Sequence, residues 1–164
     1  MSNADFLKPK TQNLKANSGF TLIEIIIAVG IIAVLAGLSA PAANIFLSRN
    51  ELHTEALKIT DALRRARSQS MSALEDSVWG VHFTSANYTV FKGSSYNQAD
   101  AYNDTFTLPG ILTISAIMIN GGGSDIIFDR INGITSTFGT TTIQNDASES
   151  RIIVVNQGGT INLQ

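Results

Sequence analysis

No cysteine occurs among the 164 residues, which excludes a disulfide framework, a thiolate metal site and a thiol nucleophile. The redox compartment stays open, because exported domains without disulfides exist. Catalytic signatures are missing as well. There is no HExxH, no GxSxG and no phosphate loop. The two histidines, His53 and His82, fall on different expected elements and read as structural residues. No enzymatic activity and no cofactor is expected. Charge is sparse, at 15% of residues with a formal net value of -2. It is also uneven. Lys8, Lys10 and Lys15 face only Asp5 near the start, whereas residues 77–164 hold Lys92, Arg130 and Arg151 against Asp100, Asp104, Asp125, Asp129, Asp146 and Glu149. The C-terminal half therefore lacks the basic surface that a phosphate backbone requires.

What the chain does have is the run "NSGFTLIEIIIAVGIIAVLAGLSAPA", Asn17 to Ala42. Its apolar part, Phe20 to Ala40, makes about 31 Å of helix at roughly 1.5 Å per residue, enough to cross a hydrocarbon core. The nearby lysines, Lys8, Lys10 and Lys15, lie on its N-terminal side and Arg49 is the first basic residue after it, which places the N-terminus in the cytoplasm and the bulk of the chain across the membrane. A secretory signal peptide would share this pattern, with Ser39, Ala40 and Ala42 near a cut site. Two features oppose that reading. A carboxylate, Glu24, sits inside the apolar run, and a helical pattern continues beyond Pro41. A charge at the centre of a span costs roughly 2.5–3.5 kcal/mol, and less near an end, so Glu24 calls for a partner.

Beyond Pro41, Leu52, Ala56, Ile59, Leu63, Ala66 and Ser70 recur at helical spacing, with Glu51, Glu55, Asp61, Arg64, Arg65 and Arg67 largely on other faces. The spacing predicts a helix to about Leu74, interrupted by a kink or weak point at Pro41. In the apolar half, Gly30, Ala33, Gly37 and Ala40 form a small-residue stripe on which another helix could pack. The texture then changes to short β-rich runs: 78–84, 88–92, 111–119, 125–129, 140–144, 151–155 and 159–163. Residues 85–87, 120–124 and 156–159 read as hairpin turns, and Lys92 to Thr105 as a longer polar loop. Trp79 and Phe83 share one strand face and are expected core anchors. About 90 residues remain for one small β domain.

"GFTLIE" followed by an apolar helix resembles the class III signal of type IV pilins and type II secretion pseudopilins. The segments "ALRRARSQSMSAL", "IIFDRINGI" and "RIIVVNQGGTINL" resemble the GspH/FimT branch, the minor pseudopilins and their minor-pilin relatives. The resemblance implies an α+β, pilin-like fold: a long N-terminal helix, half transmembrane and half amphipathic, packed on a C-terminal antiparallel β-sheet or sandwich. It divides the chain into a leader (1–19), a transmembrane or filament-core helix (20–41), an amphipathic stalk (42–76) and a β-rich domain (77–164). It further implies prepilin peptidase cleavage between Gly19 and Phe20, N-methylation of Phe20, and retention of the helix. Glu24, the fifth mature residue, would pair with the N-terminal amine of a neighbouring subunit, an α-amino group with an ordinary pKa near 7.7–8.0. The implied partners are other pilin-like subunits, the peptidase, an inner-membrane assembly platform and membrane lipid, in a single-pass protein with an extracytoplasmic domain near a filament tip. Asp100 and Asp104, with Asn97 and Asn103, are weak calcium candidates, since some relatives bind calcium in this region, although their spacing is not that of an EF-hand. Two alternatives stay open: a secreted or anchored β domain with its own ligand, and a DNA-uptake minor pilin. The second is disfavoured because the one basic patch beyond the apolar run, Arg64, Arg65 and Arg67, lies on the stalk helix, which normally uses such residues against its own domain or neighbouring subunits.

Overall fold

The computed structural model describes residues 19–164, with side chains described for 19–37 and 46–164. The expected leader lies outside the described residues up to position 18, including Lys8, Lys10 and Lys15. The chain divides into two compact units, Met1–Ala40 and Pro41–Gln164. A single helical element, α1 (Leu22–Met71), contributes to both. Ala40 and Pro41 fall among residues 38–45, so the stripe's last member and the expected kink lie outside the described side chains.

The second unit carries the core. Leu52, Ala56, Ile59, Leu63, Ala66 and Ser70, the stripe picked out by spacing, are all buried. They pack with the inner faces of two four-stranded antiparallel sheets. The first sheet has the order β3-β2-β1-β5, built from β1 (Trp79–Phe83), β2 (Asn87–Lys92), β3 (Asp104–Thr107) and β5 (Asp125–Phe128). The second has the order β4-β6-β7-β8, built from β4 (Leu112–Ile119), β6 (Gly139–Asn145), β7 (Ser150–Val155) and β8 (Ile161–Leu163). Strand alternation supplies the inner residues. Trp79, Val81 and Phe83 point inward from β1, opposite Phe128, Ile126, Val90 and Tyr88 of its neighbours. Burial, and then the Glu55 and Asp104 carboxylates, push the Tyr88 hydroxyl up to about 12. The stability gained by keeping it protonated is therefore complete below about pH 10 and lost as pH rises toward 12.

Polar contacts fasten both ends of the buried helix segment. At one end Arg49 meets Glu149 at 2.7 Å, and the Asn145 amide donates to Ser48 Oγ. At the other, Ser70 Oγ accepts from the Trp79 amide at 2.7 Å and donates to the Trp79 carbonyl. The indole N–H of Trp79 reaches the Leu74 carbonyl. α1 ends at Met71, three residues before the expected Leu74, because Ala73 adopts a left-handed conformation (φ 50°) that no helix continues through.

Two strand expectations are corrected. The polar loop stops at Asn103, because Asp104 begins β3, an edge strand paired with β2 and anchored by Phe106 stacking on Tyr88. With one large apolar residue among four, β3 carries too little alternation to be read locally. The 120–124 segment is not a hairpin turn but a crossing between sheets, since β4 pairs with β6 and β5 with β1. The turns at 85–87 and 156–159 do join antiparallel neighbours.

The outer face of the first sheet is polar. Asp125, His82, Thr89 and Thr105 lie in register as one row across β5, β1, β2 and β3. Phe91, fully buried but apart from the main core, occupies the same face above Gly80. A Cβ on Gly80 would lie 2.6 Å from the Ile126 carbonyl and 3.0 Å from Phe91 and Ile127, so this close stacking requires glycine.

Candidate assembly site

Gly19 and Phe20 precede the helix and are exposed, Phe20 at 81%. Thr21 is the residue before α1, and its hydroxyl accepts from the Glu24 amide at 3.3 Å, while a Glu24 carboxylate oxygen accepts from the Thr21 amide at 3.5 Å. This is a capping box, in which two amides left without helical acceptors are satisfied reciprocally. Glu24 thus has a partner in its own chain, and its charge also suits the positive end of the helix dipole. The bond it accepts lies at the long limit of hydrogen bonding, and a carboxylate offers about four lone-pair sites, so capacity for a stronger cationic donor remains. Sequence reading missed Thr21, although Thr-x-x-Glu before an apolar run is a recognised helix-start signal.

The described helix beyond Glu24 is apolar on every side. Leu22, Ile23, Ile25, Ile26, Ile27, Val29, Ile31, Ile32, Val34 and Leu35 all lie at least half exposed within their own chain. A shallow groove of about 340 Å³ crosses this surface, lined by Ile27, Gly30, Ile31, Val34 and Leu35. A Cβ on Gly30 or Gly37 would meet nothing within 4 Å, so nothing in the described fold requires either position to be glycine. Among the described residues no helix is long and apolar enough to cross a membrane. The stretch with described side chains, 22–37, is 16 residues, about 24 Å at roughly 1.5 Å per residue, and the sequence continues apolar only beyond it.

The basic cluster in the second unit is engaged by its own domain. Arg65 meets Asp104 at 2.6 Å, and Arg64 meets Asp61 one helical turn away. Arg67 donates from Nε to the Gly133 carbonyl at 3.0 Å and from a terminal nitrogen to the Gly158 carbonyl. That guanidinium joins the three segments that carry the branch resemblance: the helix end, the turn after β5 and the β7–β8 hairpin. The calcium candidates are engaged in contacts within the chain. Asp104 turns to Arg65, Asp100 accepts from the Tyr102 amide, Asn97 accepts from the Ala99 amide, and the Asn103 amide donates to the Asn97 carbonyl. Among the described residues no group of three acidic or histidine side chains is placed to hold a metal. His53 is exposed on α1, and His82 pairs with Asp125 on the outer sheet face.

Residues 14–40 match the family model described as the prokaryotic N-terminal methylation motif, a stretch that includes Gly19, Phe20, Thr21 and Glu24. That motif stands ahead of a chain whose second unit packs a helix on two antiparallel sheets, a pilin-like fold. The fold is shared with the minor pseudopilin EpsH from the type 2 secretion system of Vibrio cholerae. The TM-score is 0.53 and the sequence identity 17%, with 70% of this chain and 96% of that one covered. No curated protein matches the chain in sequence.

Proposed function

We propose that the chain is a minor pseudopilin or pilin, a non-enzymatic structural subunit of a membrane-anchored secretion pseudopilus or type IV pilus. One observation carries this reading. The N-terminal methylation motif opens a helical stretch whose described residues beyond Glu24, up to position 37, are apolar on all sides and exposed within their own chain. Prepilin peptidase cuts after Gly19, Phe20 becomes the methylated N-terminus, and the apolar helix stays attached, first in the bilayer and then against the helices of neighbouring subunits. The stripe at Gly30, Ala33, Gly37 and Ala40 admits close helix approach there, and the Gly30 groove accepts a partner's side chain. The second unit is extracytoplasmic, and docking to other pilin-like subunits places it near the filament tip.

Replacing Gly19 with tryptophan tests the assignment. The variant should accumulate in the membrane at full precursor mass, whereas the wild type loses the mass of residues 1–19 and gains a methyl group. Normal processing of the variant, or a mature chain beginning near Ala40, would remove the basis for the reading.

The engaged arginines support a further expectation. The full chain in detergent should not retard duplex DNA at micromolar concentration and physiological salt, because Arg65 and Arg67 are committed to Asp104 and to two backbone carbonyls. A salt-sensitive gel shift, lost when Arg64, Arg65 and Arg67 become alanine, would instead assign a DNA-uptake role.

A further inference from the structure

The polar outer face of the first sheet is not bare. The segment 93–103 covers it at Tyr96 and ends at Tyr102 against Trp79 and Lys92, which belong to the inner-face side of the sheet, so aromatic contacts pin it at both ends. The Tyr96 ring stacks flat on the His82 imidazole, with centroids 4.0 Å apart and planes 4° from parallel, and Phe91 meets the same ring edge-on. The Tyr96 amide donates to Asp125, whose other carboxylate oxygen meets His82 Nδ1 at 2.6 Å. At the far end Tyr102 packs edge-on against Trp79, lies under the Lys92 ammonium and donates to Glu75. Asn97 and Asp100 fix the turns between these anchors. The segment is thus a built wall rather than a loose loop.

Between this wall and the sheet lies a cleft of about 430 Å³, within the range of roughly 300–1,000 Å³ typical of small-molecule sites. Its floor comes from the row His82, Thr89 and Thr105 with Thr84 and Asn87, and its wall from Tyr96, Gln98 and Asn103. Among the described residues no lysine, arginine or carboxylate lines it. The hydroxyls of Thr89 and Thr105 satisfy each other at 2.9 Å, and Thr84 is engaged with the Asn87 backbone. Among the described residues the side-chain amides of Asn87 and Gln98 have no hydrogen-bond partner, and Asn103 Oδ1 is buried without one. A buried polar oxygen left unpaired is costly, whereas the Asn87 and Gln98 amides line the cleft itself and can reach a ligand there.

We propose that this cleft binds a neutral saccharide. The chemistry selects the class. A phosphate or carboxylate ligand would find no free cation, a cationic ligand would find no free carboxylate, and an apolar ligand would strand the amides. Ring hydroxyls, each both donor and acceptor, match a lining of amides, threonines and the remaining imidazole nitrogen of His82. Tyr96 adds an aromatic surface for the apolar face of a sugar ring. A protein partner fits less well, because a cleft of this size presents far less than the roughly 800 Å² per partner of a stable interface. The site lies on the sheet face turned away from α1, so it leaves the assembly role of the helix untouched.

Chitotriose, maltotriose and cellotriose, each titrated into the isotope-labelled full chain in detergent micelles, test the proposal by NMR. At least one should give saturable amide shifts confined to β1, β2, β3 and residues 93–103. The double variant Asn87→Ala, Gln98→Ala should weaken that binding by about tenfold while the shifts of the core and the melting temperature stay unchanged. Absence of saturation with all three sugars up to about 10 mM would overturn the proposal. So would equal binding by the double variant, or cleft shifts produced only by another pilin-like subunit.

Discussion

Gly159→Ala should destabilise the Pro41–Gln164 unit by about 3–5 kcal/mol, the sum of a left-handed backbone forced on a non-glycine residue and of overpacking. Gly159 has φ +77°, and a Cβ there would collide with the Gly133 carbonyl oxygen and lie 2.7 Å from Arg67 Nε. Neither neighbour can move cheaply. The Gly133 carbonyl is backbone and already accepts from Arg67, and Gly133 itself has φ +62°, with Met71 2.8 Å from where its own Cβ would stand. The change therefore breaks the guanidinium bridge between the helix end and two loops as well as straining one hairpin. In a unit of this size the loss should lower the melting temperature by about 10 °C or more. Gly158→Ala is the control. It is adjacent, has no positive φ and meets nothing within 4 Å, so it should stay within about 0.5 kcal/mol of wild type. Equal stability of the two variants in thermal unfolding would show that the Arg67 junction does not hold the domain together.

That junction shows which parts of the molecule can be read along the chain and which cannot. The buried stripe of α1 is legible because a 3.6-residue period repeats over six positions from Leu52 to Ser70, each of which packs inward. Most strands are legible for the same local reason. The crossing at 120–124 is not, because a glycine-rich turn looks alike whether the next strand pairs with the last or joins another sheet. β3 escapes notice because Phe106 is its one large apolar residue, and its stacking partner Tyr88 belongs to another strand. The polar row is less legible still. Asp125 and His82 are 43 positions apart and become partners only through register. Segments that look like separate motifs, around Arg67, Gly133 and Gly158, turn out to be one contact. The capping box could have been read locally from Thr21-x-x-Glu24, but a carboxylate in an apolar run raises the question of a missing cation before that of a helix start.

Glu24→Gln separates those two roles of the carboxylate. Glutamine at the third helical position is the other residue that closes a capping box, so the variant keeps an acceptor for the Thr21 amide, bonded in the wild type at 3.5 Å, while losing the charge. Glu24→Ala loses both. If the carboxylate serves mainly to meet the α-amine of a neighbouring Phe20, the two variants should be equally defective in filament incorporation, on the order of 100-fold below wild type. An amine left in apolar surroundings without its counter-charge is strongly disfavoured. Both should still insert into the membrane, since removing a charge eases insertion. Thr21→Ser should behave as wild type because serine caps as well as threonine, and Thr21→Ala should lose only the cap, about 1 kcal/mol of local helix stability. Quantifying each variant in purified filaments against its membrane pool decides the matter. Recovery of incorporation by Glu24→Gln to near wild-type level would mean that the helix cap is the function of this residue and that charge pairing does not set the docking register.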